Sequence, residues 1–324
     1  MGKISSPPLL EVKGVKKYFV TKSGKGKKTV QALNGISFSV NKGETFGLVG
    51  ESGCGKTTAG RVICCLTDPT EGEVLFEGKN LFKMSKKELK KVRKEIQMVF
   101  QDPFASLDPR MTIGQIIEEP LAIHKISDRA GRKKMAMEML EKVGLQPAYY
   151  KRYPHEFSGG QRQRIGIARA LILHPKLVIC DEPVSALDVS VQSQILNLLE
   201  DLQKELGLTY IFIAHGLNVV QHISDRIGVM YLGKMAEIIA GDQLFAHPGH
   251  PYTQALLSAN PIPDPEIMHS RIILEGDIPS PANPPSGCYF HTRCKYCKEI
   301  CKEKEPLVKQ NGDRIVACHF PLEL

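Results

Sequence analysis

Short apolar runs alternate along this chain with polar, glycine-rich or amphipathic stretches, and the period of each run predicts an element. Leu9–Phe19 alternates loosely and is rich in β-branched and aromatic residues, which predicts a strand ending before a Gly- and Lys-rich loop over Thr21–Lys28. A second strand is expected over Ala32–Val40, and Gly43 turns the chain into Thr45–Val49, a run short enough for a buried strand. Gly72–Phe76 reads as a further strand closed by a Glu77-Gly78 turn, and Ser85–Arg93 as a charged helix. Ile96–Phe100, Leu177–Glu182 and Thr209–Ala214 are apolar runs that deliver Gln101, the pair Asp181 and Glu182, and His215 at their ends. From Ile113 to Tyr153 the pattern is helical, with Met135, Met139, Leu140 and Val143 on one face; helices follow over Arg162–Leu173 and up to about Leu206. Ile227–Tyr231 and Lys234–Ile239 predict a hairpin around Gly233. Strands alternating with helices imply an α/β fold with a parallel sheet, and the stretch from Ile113 reads as an inserted helical subdomain.

Between the Thr45–Val49 strand and a helix that can begin at Lys56 lies Gly50-Glu51-Ser52-Gly53-Cys54-Gly55-Lys56-Thr57-Thr58, which fits the phosphate-binding pattern G-x-x-x-x-G-K-[ST]. Its glycines let backbone amides turn around phosphate oxygens, and the helix N-terminus adds partial positive charge. Lys56 would then reach the β and γ phosphates, and Thr57 would ligate magnesium. By itself the loop specifies a nucleotide and no more. Tyr18 or Phe19 would stack on an adenine face, although a core position is the plainer reading of either. Phe157-Ser158-Gly159-Gly160-Gln161 opens a helix and offers a second anion cradle. Gln101 is released into Asp102-Pro103, where it either meets a ligand or caps a turn. Alternation along a strand turns Asp181 and Glu182 to different sides, so that one can hold a magnesium shell while the other addresses water. Parallel α/β folds place ligand contacts at strand ends, which favours a ligand role for His215 over a structural one.

Composition adds little to this until the cysteines are reached. A chain of 324 residues exceeds a single core, so two or three subdomains are expected. No run has membrane-spanning length and Met1 to Val12 lacks a signal-peptide pattern, which points to a protein kept in the cytosol. Met1-Gly2-Lys3-Ile4-Ser5-Ser6 formally fits a myristoylation site, a pattern too short to carry weight. The net charge of +8 is spread over short clusters, Lys22–Lys28, Lys86–Lys94 and Arg129–Lys134, that read as solvated faces rather than one basic stripe. Five of the nine cysteines, Cys288, Cys294, Cys297, Cys301 and Cys318, crowd the C-terminal end, and in a reducing compartment such a cluster points to metal. Four thiolates suit a zinc tetrahedron or a [4Fe-4S] cluster, with purely structural, unliganded cysteines as the lesser alternative.

Taken in order, the loop at Gly50, Gln101, Ser158-Gly159-Gly160-Gln161, Asp181-Glu182, Ser185-Ala186-Leu187-Asp188 and His215 resemble the motifs of ABC transporter nucleotide-binding subunits over nearly the whole chain. The resemblance implies a P-loop NTPase of ABC type: a RecA-like core, an antiparallel β subdomain, an inserted α-helical subdomain and a C-terminal cysteine-rich extension. Residues 1–102 and 174–243 would form the core with its β subdomain, 103–173 the helical subdomain with the signature, and 244–324 the extension. In that family two subunits clamp two ATP molecules head to tail, which would explain two phosphate cradles in one chain. By motif, Gly50 to Thr58 would bind ATP, with Lys56 neutralising the β and γ phosphates. Thr57, Gln101 and Asp181 would hold Mg2+, Glu182 would be the general base, and His215 would contact the γ-phosphate. Ser158, Gly159, Gly160 and Gln161 would close the site from across the dimer, and Phe19 aligns better than Tyr18 with the adenine-stacking aromatic. Two positions depart from the family pattern. Phe157 replaces a leucine, and Gly216 stands where an aspartate usually follows the histidine, which would loosen the loop positioning His215 and slow turnover.

Nearer the C-terminus, His250–Leu257, Gly276–Pro281 and Pro284–Cys288 resemble the oligopeptide and dipeptide permease ATPases, with Val191–Leu196 and Met230–Gly233 closer to the F-type of the paired subunits. The implied function is ATP-driven peptide import at the cytoplasmic face of the cell membrane. The implied partners are a second, homologous ATPase, two membrane permease subunits touched by the glutamine loop and helical subdomain, and indirectly an extracytoplasmic peptide-binding protein, with no nucleic acid. On the family pattern Cys288, Cys294, Cys301 and Cys318 would hold a stabilising [4Fe-4S] cluster, zinc being the alternative, with Cys297 a nearby thiol able to exchange with a ligand. Uptake of nickel or another small solute is an alternative, since the ATPase never touches substrate. A soluble ABC ATPase acting on nucleic acid through a zinc module is a further one, disfavoured because the chain has neither a duplicated core nor sustained heptads.

Overall fold

The computed structural model describes residues 7–23, 26–259 and 272–323. Met1–Ser6, with the myristoylation pattern, and Gly24-Lys25, inside the expected Lys-rich loop, lie outside the described residues. The chain divides into two compact units, Met1–Lys83 with Ile213–Leu324, and Met84–Phe212.

The first unit begins with β1 (Leu10–Ser23) and β2 (Gly26–Val40), a long antiparallel hairpin. The loop expected over Thr21–Lys28 is mostly ladder, with pairing carried out to Ser23 opposite Gly26. An antiparallel ribbon closes its backbone hydrogen bonds whatever its side chains, so a Lys-rich composition hides it. β3 (Thr45–Val49), buried at every position, leads through the phosphate loop into α1 (Lys56–Ile63). β4 (Glu71–Phe76) and β5 (Lys79–Asn80) complete a four-stranded antiparallel sheet in the order β2-β1-β4-β5.

The second unit opens with α2 (Lys86–Glu95), started by a capping box between Ser85 and Glu88, and β6 (Ile96–Val99). The helices α3 (Ile113–Ile123), α4 (Arg129–Lys142) and α5 (Gly159–Leu171) start at Thr112, Asp128 and Ser158, each of which caps the helix with its side chain. The three helices pack on one another, and Ile113, Ile117, Leu121, Met139, Leu140 and Ile165 are buried on them. Of the apolar face read from sequence, Met139, Leu140 and Val143 are buried while Met135 is half-buried, because Ala136 turns inward instead. β7 (Leu177–Asp181), α6 (Val189–Leu206) and β8 (Thr209–Ile213) follow. β6 and β7 pair in parallel from Ile96 opposite Leu177 to Val99 opposite Cys180, and β8 lies beside β7. β7 and β8 are buried at every position, as strands covered on both faces must be.

The chain then returns to the first unit with α7 (Leu217–Ile223), β9 (Arg226–Tyr231) and β10 (Lys234–Ala240). β9 runs parallel to β3 and forms the hairpin with β10. α8 (Pro251–Ser258), α9 (Glu299–Glu303), β11 (Val308–Asn311) and β12 (Arg314–Ala317) follow, and the last hairpin adds to β10, giving the order β11-β12-β10-β9-β3. These two short strands have no clear apolar alternation and are not predicted by the pattern. Among the described residues no helix is long and apolar enough to cross a membrane.

Candidate functional site

β3 delivers the chain into Gly50, where φ is 149° and an added Cβ would stand 2.2 Å from the Met230 carbonyl oxygen. Gly55 is as closed, with φ 105° and the Ala32 carbonyl oxygen 2.3 Å from the same construction. The loop thus lies tight against β9 and β2, and Gly233 N–H donates to the Cys54 carbonyl at 2.9 Å. Lys56 is buried and curls back over the loop. Its Nζ donates to the carbonyls of Gly50 (2.7 Å) and Glu51 (3.2 Å) and lies 3.5 Å from His215 Nδ1. Phosphate oxygens are charged acceptors and would outcompete those carbonyls for the ammonium. Burial pushes the Cys54 thiol up against the opposing charge of Lys56, so Cys54 fills space under the loop as a neutral group. On β1, Tyr18 is committed, its hydroxyl donating to Asn34 Oδ1 at 2.9 Å. Phe19 is 41% exposed, with the Lys17 ammonium over its ring 5.1 Å from the centroid.

In the second unit the parallel pairing of β6 and β7 brings their C-terminal ends to one edge, and Gln101 meets Glu182 there: Gln101 Nε2 donates to Glu182 Oε2 at 2.5 Å. Asp181 and Glu182 are both buried. Glu182 has φ 49°, a left-handed conformation that side chains with a Cβ seldom take; such strain clusters at functional sites, where the surroundings impose it. Ser158 and Gln161 form a reciprocal capping box, Gln161 N–H donating to Ser158 Oγ (3.4 Å) and Ser158 N–H to Gln161 Oε1 (3.1 Å). Gly160 is required by packing, since a Cβ there would stand 2.4 Å from Val191 Cγ1 on α6.

Cys288, Cys294, Cys301 and Cys318 line one small cavity together with His250 and Phe290, and Cys297 stands outside that set. Burial, opposed by backbone N–H groups and reinforced by neighbouring thiols, pushes Cys288 up to about 12 and Cys294 up to about 11. Burial of this kind keeps both thiols neutral near pH 7. Among the described residues no three or more His, Cys, Asp or Glu side chains converge closely enough to hold a metal ion.

Three residues with structural consequence were not singled out from the sequence. Glu237, fully buried on β10, accepts from the N–H groups of Gly249 (2.8 Å) and His250 (2.9 Å) and from Arg314 Nη2 (3.2 Å). Tyr252 accepts from Glu51 N–H at 2.9 Å, and Arg293 pairs with the Glu51 carboxylate through Nη1–Oε2 at 2.8 Å and Nη2–Oε1 at 3.2 Å. The available signal was Glu237 itself: a carboxylate beside Ile238 and Ile239 on a buried strand requires partners.

The family described as ABC transporter matches residues 33–185, and that described as oligopeptide/dipeptide transporter, C-terminal region, matches 236–301. The oligopeptide transport ATP-binding protein AppF of Bacillus subtilis is 56% identical over 319 residues, 96% of this chain and 97% of that protein. This chain belongs to the F-type ATPase subunits of oligopeptide ABC transporters. Another relative, the oligopeptide transport ATP-binding protein OppF of Haemophilus influenzae, is 57% identical over 294 residues, 90% of this chain and 89% of the relative. Among solved structures, the dimeric post-hydrolysis state of the ATP-binding cassette MJ0796 bound to ADP and Pi matches with a TM-score of 0.63 and 32% identity, covering 71% of this chain and 98% of that one. The fold of this ABC ATPase is thus the P-loop cassette with mixed α/β sheets.

Proposed function

We propose that this protein binds and hydrolyses ATP to energise a peptide importer. The observation that carries the reading is the phosphate loop with Lys56 held beside His215, in a chain more than half identical to oligopeptide transport ATP-binding proteins. Those relatives' names favour peptide over nickel or another small solute, and over a nucleic-acid-acting ATPase. Lys56 would move from the carbonyls of Gly50 and Glu51 to the β and γ phosphates, and Thr57, Gln101 and Asp181 would hold Mg2+. Glu182, pre-shaped by its strained backbone and by Gln101, would align the attacking water, His215 would contact the γ-phosphate, and Phe19 would stack on adenine. The capped N-terminus of α5, Ser158 to Gln161, would face the γ-phosphate bound by a partner subunit, a reading supported by the dimeric state of the similar cassette. The partners would be a second ATPase of the same family and two membrane permease subunits, with a peptide-binding protein outside, placing this subunit on the cytoplasmic face of the membrane. The core, the helical subdomain at 103–173 and the extension at 244–324 would divide these tasks.

Cys288, Cys294, Cys301 and Cys318 would hold a [4Fe-4S] cluster, which supplies cross-linking of the extension rather than catalysis; zinc is the second reading. Broad visible absorption from anaerobically purified protein, kept by Cys297→Ser and lost in Cys294→Ser, is the result expected for the cluster, because zinc has a filled d shell. Glu182→Gln tests the ATPase: steady-state hydrolysis should fall by about 10²–10⁴-fold while ATP-bound dimers accumulate on gel filtration. Undiminished hydrolysis by that variant would refute the mechanism.

A further inference from the structure

The phosphate loop is held from outside its own motif. Glu51, its second residue, is engaged at every polar group: the N–H donates to Tyr252 Oη (2.9 Å), the carbonyl accepts from Lys56 Nζ (3.2 Å), and the carboxylate takes both terminal nitrogens of Arg293 (2.8 and 3.2 Å). Two of these three partners belong to the segment after β10, and all four residues lie in one compact unit. The Arg293 side chain is 8% exposed and that of Glu51 21%, so this is a two-pronged pair largely removed from water.

The segment that presents Arg293 is short and tied back at its start. A single 3-10 turn, His291–Arg293, joins Cys288 to Cys294, and His291 directs both its N–H and its ring Nδ1 to the Cys288 carbonyl. Phe290, buried in the same turn, packs on Tyr231 and Tyr252 with ring centroids 5.3 Å away in each case. Arg293 therefore reaches the loop from a turn fastened to the tyrosine that also holds the Glu51 amide.

We infer that Arg293 is a positioning residue of the nucleotide site: it neutralises Glu51 and fixes the loop that Lys56 must leave to meet phosphate, making the cysteine-rich extension part of the ATP-binding apparatus. The inference rests on the ATPase reading. An unpaired carboxylate in the loop would repel a polyphosphate and leave the loop free to shift. Without Arg293 ATP binding weakens, while groups that act on the bound γ-phosphate are untouched.

The test uses the purified full chain and four variants, Arg293→Met, Arg293→Lys, Glu51→Gln and the double variant Glu51→Gln with Arg293→Met. For each, the KM for ATP, kcat, binding of a fluorescent ATP analogue and iron and zinc content are measured. Arg293→Met should raise KM and the analogue's Kd by about 10-fold, the scale of a charge-assisted hydrogen-bonded pair, with kcat within about 2-fold and metal content unchanged. In the Glu51→Gln background the same substitution should add less than about 2-fold, since the charge to be neutralised is gone. Arg293→Lys, which keeps the charge and loses the two-pronged geometry, should fall between and covers the case in which Arg293→Met does not fold. Equal effects of Arg293→Met in both backgrounds, or unchanged KM in Arg293→Met and Arg293→Lys alike, would overturn the inference while leaving the ATPase reading standing. Wild-type protein that binds no nucleotide would overturn both.

Discussion

At the residue scale, Glu182 carries the most informative backbone, with φ 49° just past the end of β7 and its carboxylate accepting from Gln101 Nε2. Gln101, Glu182 and His215 stand at the ends of apolar runs and Lys56 at the start of α1, and the structure brings Lys56 beside His215 and Gln101 to Glu182. The strained backbone of Glu182 was not legible, since neighbours impose it and its own residue type does not. Gly216 is a departure whose effect can now be argued. Its φ of −80° and ψ of 115° are open to any residue, it is the N-cap of α7, and an added Cβ meets only Val219 Cγ2 at 3.6 Å. Gly216→Asp should therefore raise stability by about 0.5–1 kcal/mol, through capping and a less flexible unfolded chain, and should speed turnover by holding the loop of His215. Calorimetry and a steady-state ATPase assay on the same preparation check both effects; a lower melting temperature would exclude the capping argument.

At the scale of elements, α8 shows how a cap becomes a pH sensor. His250 is buried, its Nδ1 accepts from Tyr252 N–H at 3.0 Å, and its ring also hydrogen-bonds to the backbone at Ala317. A doubly protonated ring could not accept that bond, and burial lowers the folded-state pKa to about 4 from an ordinary value near 6.5. Stability from the neutral ring is therefore complete above about 6.5 and is lost as pH falls from 6.5 towards 4, by up to ~3 kcal/mol. Urea midpoints measured between pH 7 and pH 4.5 should show this slope, and His250→Asn, a good cap that does not titrate, should flatten it. The strand before the phosphate loop came from its apolar run and the helix after it from the motif's context, whereas β11 and β12 had no such signal. Two strands of four residues each, with exposed Val308 and only Val316 deeply buried, carry too little alternation to stand out.

For the whole molecule, the decisive group is Glu237. A fully buried carboxylate with three donors ties β10 to the start of α8 and to β12. Glu237→Ala leaves the Arg314 charge and two N–H groups without their acceptor and should cost about 3–5 kcal/mol. Urea denaturation measures the loss, and limited proteolysis should cut first after residue 244; a destabilisation below about 1 kcal/mol would show that water replaces the carboxylate. A separate bond, from Glu51 N–H to Tyr252 Oη on α8, joins the extension to the phosphate loop 201 residues away within the same compact unit.

What the sequence determined by itself was the set of local devices: a strand, loop and helix around Gly50, a helix opening at Ser158 to Gln161, acidic and amide residues at strand ends, and cysteines in one region. Each is written in neighbours of a few residues, where backbone sterics and side-chain period act directly. Tertiary structure alone decided which distant groups touch. That Glu51 gives its amide to Tyr252 and its carboxylate to Arg293 depends on how β9, β10 and the cysteine-lined turn pack, and no local pattern encodes a contact whose partners are joined only through the core.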